Sequence, residues 1–286
     1  MESMETMEAW QEQLSVYKGI LFHNRTFESD CTAEFTYDFS CKEYETLREK
    51  YDLAGIAGKG SEFERAARLT AHFAPTLVHK GEYANEIPCN ALALLEHSFQ
   101  QSEHGINCLN KSKILQECCL ALGIYAKRIC IMPYSPYDDD NHVVNEIYDT
   151  ALKKWVMLDV TANGYFSDEN GSPLSLLEMR ERFALDRVCN FTKLSDKIAE
   201  YFGTREEERL YYAKYFAKNL FYLIAEQHNC FGEKNAYLYF LPKGFHDEAG
   251  REMNRLFRQN QTNRYVDKDL RRSHACDIQC LTKSPK

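Results

Sequence analysis

The chain has 286 residues, 44% hydrophobic and 13% aromatic, enough to bury a substantial core and too apolar for a disordered polymer. Its 43 acidic residues outnumber its 35 basic ones, and a formal net charge of −8 argues against the basic surface that nonspecific nucleic-acid or anionic-membrane binding demands. No apolar run approaches the roughly 20 residues that span a bilayer. The acidic start MESMETMEAWQEQ also lacks the basic and apolar regions of a signal peptide, so we expect a cytoplasmic protein whose eleven cysteines stay reduced.

In chain order, residues 1–13 predict a polar helix. Residues 32–39 alternate, with Ala33, Phe35, Tyr37 and Phe39 on one side and Thr32, Glu34, Thr36 and Asp38 on the other, the pattern of a half-buried strand. Two helices are expected next, over 42–51 and, past the glycine-rich GIAGKG, over 61–79. The second carries Ser61 three residues before Glu64, as in a capping box. Pro88 sits at another helix start, with Ala91, Leu92, Leu94, Leu95 and Phe99 as its buried face.

The stretch 105–161 holds the residues whose order suggests chemistry. Over 108–122, Ile114, Leu115, Cys118, Cys119 and Leu122 recur at helical steps while Lys111, Lys113, Gln116 and Glu117 are polar, which predicts an amphipathic helix stopped by Gly123. Asn107 is a good N-cap. It places Cys108 in the first turn, where free backbone N–H groups and the positive dipole end favour a thiolate.

HVVNEIY and KWVMLDV then read as a β-hairpin joined through DTALK. Setting Tyr148 opposite Lys153 puts His142 directly opposite Asp159, with Cβ atoms roughly 4.5–5.5 Å apart. A thiol, an imidazole and a carboxylate in that order are a candidate nucleophile, base and orienter: Cys108, His142 and Asp159.

Beyond Thr161 we expect a Gly/Asn-containing loop, a helix over 174–183 and a long aromatic-rich helix over 205–227. A strand in AYLYFLP follows, then a short polar helix over 248–258 and a charged tail from Gln259 lying loose on the surface. Trp155 and the aromatic stripe of 205–227 are expected in the core, and the run 138–140 is expected as a solvated loop that could also favour an imidazolium at His142. Cys276 and Cys280 have poor metal spacing, and no glycine-rich phosphate loop or H-E-x-x-H helix is present, so neither metal nor organic cofactor is expected.

Four motifs in 105–161 resemble the transglutaminase-like superfamily. They are the Gly-x-x-Cys helix start at Gly105 to Cys108, ALGIYAKR at Ala121 to Arg128, His-x-x-x-Glu at His142 to Glu146, and Trp-x-x-x-Asp at Trp155 to Asp159. The resemblance departs from the family at Lys127, where many relatives carry Arg, and at HVV in place of HAW or HVW.

The resemblance implies an α+β, papain-like core, a Cys-bearing helix packed on an antiparallel sheet bearing His and Asp, with helical additions at both ends. We divide the chain into a catalytic domain, 1–195, and an extension packed on it, 196–286. The implied chemistry is acyl transfer or hydrolysis at an amide or peptide carbonyl through Cys108, His142 and Asp159, hydrolysis being preferred, with a protein or peptide as substrate. The backbone N–H of Cys108 is one oxyanion donor, and the second is not assigned. The alternative is a catalytically inactive interaction module of the same fold, and a weaker one is a Cys/His/Asp metal site.

Overall fold

The computed structural model describes residues 2–101, 103–135, 138, 140–195, 202–245 and 275–285; the helix expected over 248–258 lies outside them. The opening helix α1 (Glu2–His23) runs past the polar 1–13 because Leu14, Tyr17 and Leu21 continue its apolar contacts. The strand expected over 32–39 shortens to β1 (Thr36–Tyr37), yet its odd-numbered apolar residues are half-buried and its even-numbered polar ones exposed, as the alternation predicts.

Helix α2 (Glu43–Lys50) is followed by a short helix not anticipated from sequence, α3 (Leu53–Ala57), capped by the Asp52 carboxylate accepting from Gly55 N–H at 3.2 Å. Helix α4 (Glu62–Phe73) has both halves of the Ser61/Glu64 capping box. It ends short of the expected residue 79 because Pro75 cannot continue the helical bonding. Helix α5 (Ala91–Gln100) is capped by Asn90, not begun at Pro88, and Phe99, expected inside, is exposed.

Helix α6 (Cys108–Ala121) begins where expected, with Asn107 accepting from Asn110 N–H, but it is not amphipathic. Every residue from Asn110 to Ala121 is buried, so its polar side needs internal partners. Lys113 pairs with Glu117 at 3.4 Å and with Glu226 at 3.7 Å. Gln116 donates to Asn229 at 2.8 Å, and Glu117 accepts from the backbone of Ala91 and Gly232.

Strands β2 (Ala126–Met132), β3 (His142–Asp149) and β4 (Lys154–Leu158) form an antiparallel meander. A two-stranded ribbon, β5 (Gly164–Ser167) with β6 (Asn190–Lys193), brackets α7 (Leu176–Ala184). Helix α8 (Arg205–Asn219) stops well before residue 227: the apolar run after it forms β7 (Tyr222–Glu226), followed by β8 (His228–Asn229), which pairs with β1, and β9 (Tyr237–Phe240). Strands β7 and β9 complete a five-stranded sheet of order β4-β3-β2-β7-β9, so the segment after residue 195 supplies part of the same sheet that carries His142.

The result is an α+β fold with helices on both faces of an antiparallel sheet. Helices α2 to α6 bury one face, including Ala126, Ile147 and Leu158; α1, α7 and α8 bury the other, including Ile129, Val144 and Leu223. The chain end at 275–285 is not the loose tail expected: Cys276, Cys280 and Leu281 are buried, and Leu281 and Lys283 offer carbonyls to Lys127 and Trp155. Among the described residues no helix is long and apolar enough to cross a membrane.

Candidate active site

Cys108 is the first residue of α6, and its thiol is half-buried. The chain ahead of it is held by the backbone of another segment: Ile106 donates to Val78 O at 3.1 Å and accepts from Lys80 N–H at 3.0 Å. This crossing explains Gly105, three residues before the thiol. A Cβ there would lie 2.8 Å from Lys80 Cβ and 3.3 Å from Val78 Cγ1.

His142 opens β3 and is 4% exposed; its Nε2 lies 2.8 Å from Asp159 Oδ2. The expected hairpin register is corrected, since Tyr148 pairs with Trp155 and not with Lys153. The turn holds four residues, with Asp149 accepting from Ala151 and Leu152 N–H groups and Lys153 at φ 54°. Asp159 stands one residue beyond β4, where it bridges to Gly164, and is diagonal to His142 instead of opposite it. A two-residue offset preserves the face, and the contact survives.

The Cys108 thiol acts on the same imidazole and lines the same cavity, so sulfur, ring and carboxylate come together at one place. Burial by itself would push the His142 pKa down, but the Asp159 charge and hydrogen bond, with the Cys108 contact, hold it well above its usual value. Asp159 is also fully buried. Its interaction with His142 and the N–H groups of Thr161 and Ala162, at 2.7 and 3.1 Å, keep its carboxyl below the ordinary range. The arrangement stores a proton on the ring and presents a carboxylate that fixes the ring's orientation.

Among the described residues of the run 138–140, neither carboxylate supplies this charge. Its described carboxylates, Asp138 and Asp140, pair with Lys218 at 3.0 and 2.9 Å, and Tyr215 donates to Asp140. Tyr215 and Phe216 of α8 wall the imidazole edge-on, with centroids 5.5 and 5.9 Å away.

Glu146 and Trp155, the other fixed positions of the two strand motifs, hold the scaffold. Glu146 pairs with the fully buried Lys127 at 3.4 Å and accepts from Leu176 N–H at the start of α7. Lys127 also sits 3.8 Å from the Trp155 ring centroid, and Trp155 is buried, as expected of a core residue.

Cys108, His142 and Asp159 line one open cavity of about 860 Å³. His79, Tyr83 and Asn85 line it too, and none was singled out from sequence; Tyr215, expected in the core with its aromatic stripe, also lines it. His79 had no legible signal, falling at the end of an expected helix and reaching the site only through the pairing with Ile106. Lys111, one turn along α6 from the thiol, is buried. That burial pushes its ammonium down to about 8 against the pull of Asp159 and Cys108. Among the described residues no group of three or more His, Cys, Asp or Glu side chains is arranged to hold a metal ion.

Fold and site together define an α+β protein in which a half-buried cysteine and a buried histidine–aspartate pair line one cavity. Compared with known protein families, curated proteins and solved structures, the chain matches none of them.

Proposed function

We propose that this is a transglutaminase-like cysteine enzyme with a papain-like core, acting on an amide or peptide carbonyl. The observation that carries the reading is the His142–Asp159 pair lining one open cavity together with Cys108. His142 holds the proton given up by the Cys108 thiol, and the sulfur attacks the carbonyl carbon, giving a tetrahedral oxyanion near the first N–H groups of α6. His142 hands its proton to the departing amine, and a thioester remains on Cys108. Water then resolves the thioester in a peptidase or amidase, the outcome we favour, and a second amine would resolve it in a cross-linking transferase. Asp159 holds the ring in place and balances its charge throughout.

The test is chemical. Iodoacetamide at mildly acidic pH should alkylate Cys108 ahead of the other cysteines, through the helix start and the imidazole beside it, while burial pushes Cys119, Cys130 and Cys189 up to about 12. A probe carrying a glutamine or peptide carbonyl should form a thioester that Cys108→Ala abolishes. Slow, uniform labelling would instead favour a non-catalytic interaction module.

A further inference from the structure

The site described so far has one oxyanion donor, the backbone N–H of Cys108, and a tetrahedral oxyanion is held best by two. The second should be a neutral N–H or O–H group that faces the cavity, is not committed to a protein partner, and is fixed relative to the thiol. Tyr215 fails on the second count, since its hydroxyl already donates to Asp140. Lys111 is buried and does not line the cavity.

His79 meets all three conditions. Its residue lines the cavity with Cys108 and is exposed to it. Among the described residues neither of its ring nitrogens has a hydrogen-bond partner. Its backbone is pinned beside Ile106, two positions ahead of the nucleophile, by the two hydrogen bonds that require Gly105 to lack a side chain. The surrounding protein and the cations of Lys111 and His142 lower its pKa to about 4, so the ring is a neutral imidazole that can donate one N–H.

We propose that His79 is a catalytic residue whose ring N–H donates to the carbonyl oxygen of the substrate as negative charge develops there. This rests on the acyl-transfer reading of the site. As the C–S bond forms, the carbonyl π pair moves onto oxygen, which takes hydrogen bonds from His79 and the Cys108 backbone. Collapse returns that pair, breaks the C–N bond, and sends the amine out with the proton from His142. His79 itself gains and loses no proton.

Two reagents separate this role from a structural one. A p-nitrophenyl ester acylates Cys108 through an oxyanion, whereas iodoacetamide alkylates the same sulfur without forming one. In His79→Ala, the p-nitrophenolate burst assigned to Cys108 should slow about 10²-fold or more. Alkylation of Cys108, followed by peptide mass mapping, should stay within about twofold of the parent protein, and His79→Gln, which retains an N–H donor, should recover most of the lost acylation. Equal slowing of both reactions would make His79 merely structural, and an unchanged burst would remove it from the mechanism; either result overturns the proposal. A parent protein whose Cys108 reacts with neither reagent would overturn the acyl-transfer reading, and this assignment with it.

Discussion

His142 and Asp159 meet at 2.8 Å without being cross-strand partners. The last ladder pair of the hairpin is Asn145 with Leu158, so Asp159 falls level with Val144 and reaches His142 along the diagonal. A diagonal partner leaves Asp159 Oδ1 free to accept from Thr161 and Ala162, and the carboxylate is gripped by its own turn while it grips the ring.

Replacing Asp159 with Asn should therefore lower acyl transfer by on the order of 10³ to 10⁴, because the ring loses both its orientation and its counter-charge. Burst kinetics with an activated ester would measure the loss. A decrease of less than tenfold would mean that the turn at Thr161 and Ala162, not the carboxylate, orients the imidazole.

The same substitution has a pH signature. His142 holds its proton more tightly folded than unfolded, so its contribution is complete below the unfolded value near ~6.5 and disappears as pH rises through the folded one. Asp159 is more acidic folded than unfolded, so its share is present above about 3.9 and disappears as pH falls. The stability gap between the parent and Asp159→Asn should be widest between about pH 4 and 6.5 and narrow on both sides, as urea titrations across pH would reveal.

Gly105→Ala should destabilise the protein by about 1–3 kcal/mol, since the new methyl would strike Lys80 Cβ and the neighbouring strand-like segment. Denaturant midpoints give the size. Acylation of Cys108 should fall more than its alkylation if the displaced segment carries His79 away from the cavity.

Lys127→Met should cost about 3–5 kcal/mol because it strands Glu146 in the interior, and Glu146→Gln should cost less because Leu176 N–H keeps an acceptor. Changing both should cost less than the two single changes added together, a coupling that a double-mutant cycle reads directly.

Deleting residues 275–285 should lower the melting temperature by several degrees, about 2–4 °C per kcal/mol lost in a protein this size. It removes the carbonyls that satisfy Lys127 and Trp155 and the backbone that bridges Tyr239. A melting temperature unchanged by the deletion would show that water replaces those partners at no cost.

What could be read from sequence was local or periodic. The cap at Asn107 and the start of α6 at Cys108 follow from neighbouring residues, and the shared face of His142 and Asp159 follows from a period of two that tolerates an offset of two. The hairpin turn was misjudged because Lys153 adopts a left-handed conformation that nothing in DTALK signals. The end of α8 was missed because an aromatic run suits a buried helix or a buried strand equally, and the β2 edge awaiting β7 decided between them. The polar residues of α6 read as a solvent face because Glu226 and Asn229, which let Lys113 and Gln116 be buried, lie far downstream.

Strand β2 takes β3 from residues made soon after it and β7 from residues made much later. A nascent chain that has left the ribosome only as far as Asp159, just past β4, already carries Cys108, His142 and Asp159, but one whole edge of β2 is open, and Arg128 and Lys113 wait for Glu226. The thiol therefore emerges well before the strand that closes its scaffold, and the site's assembly waits on that last part of the sheet.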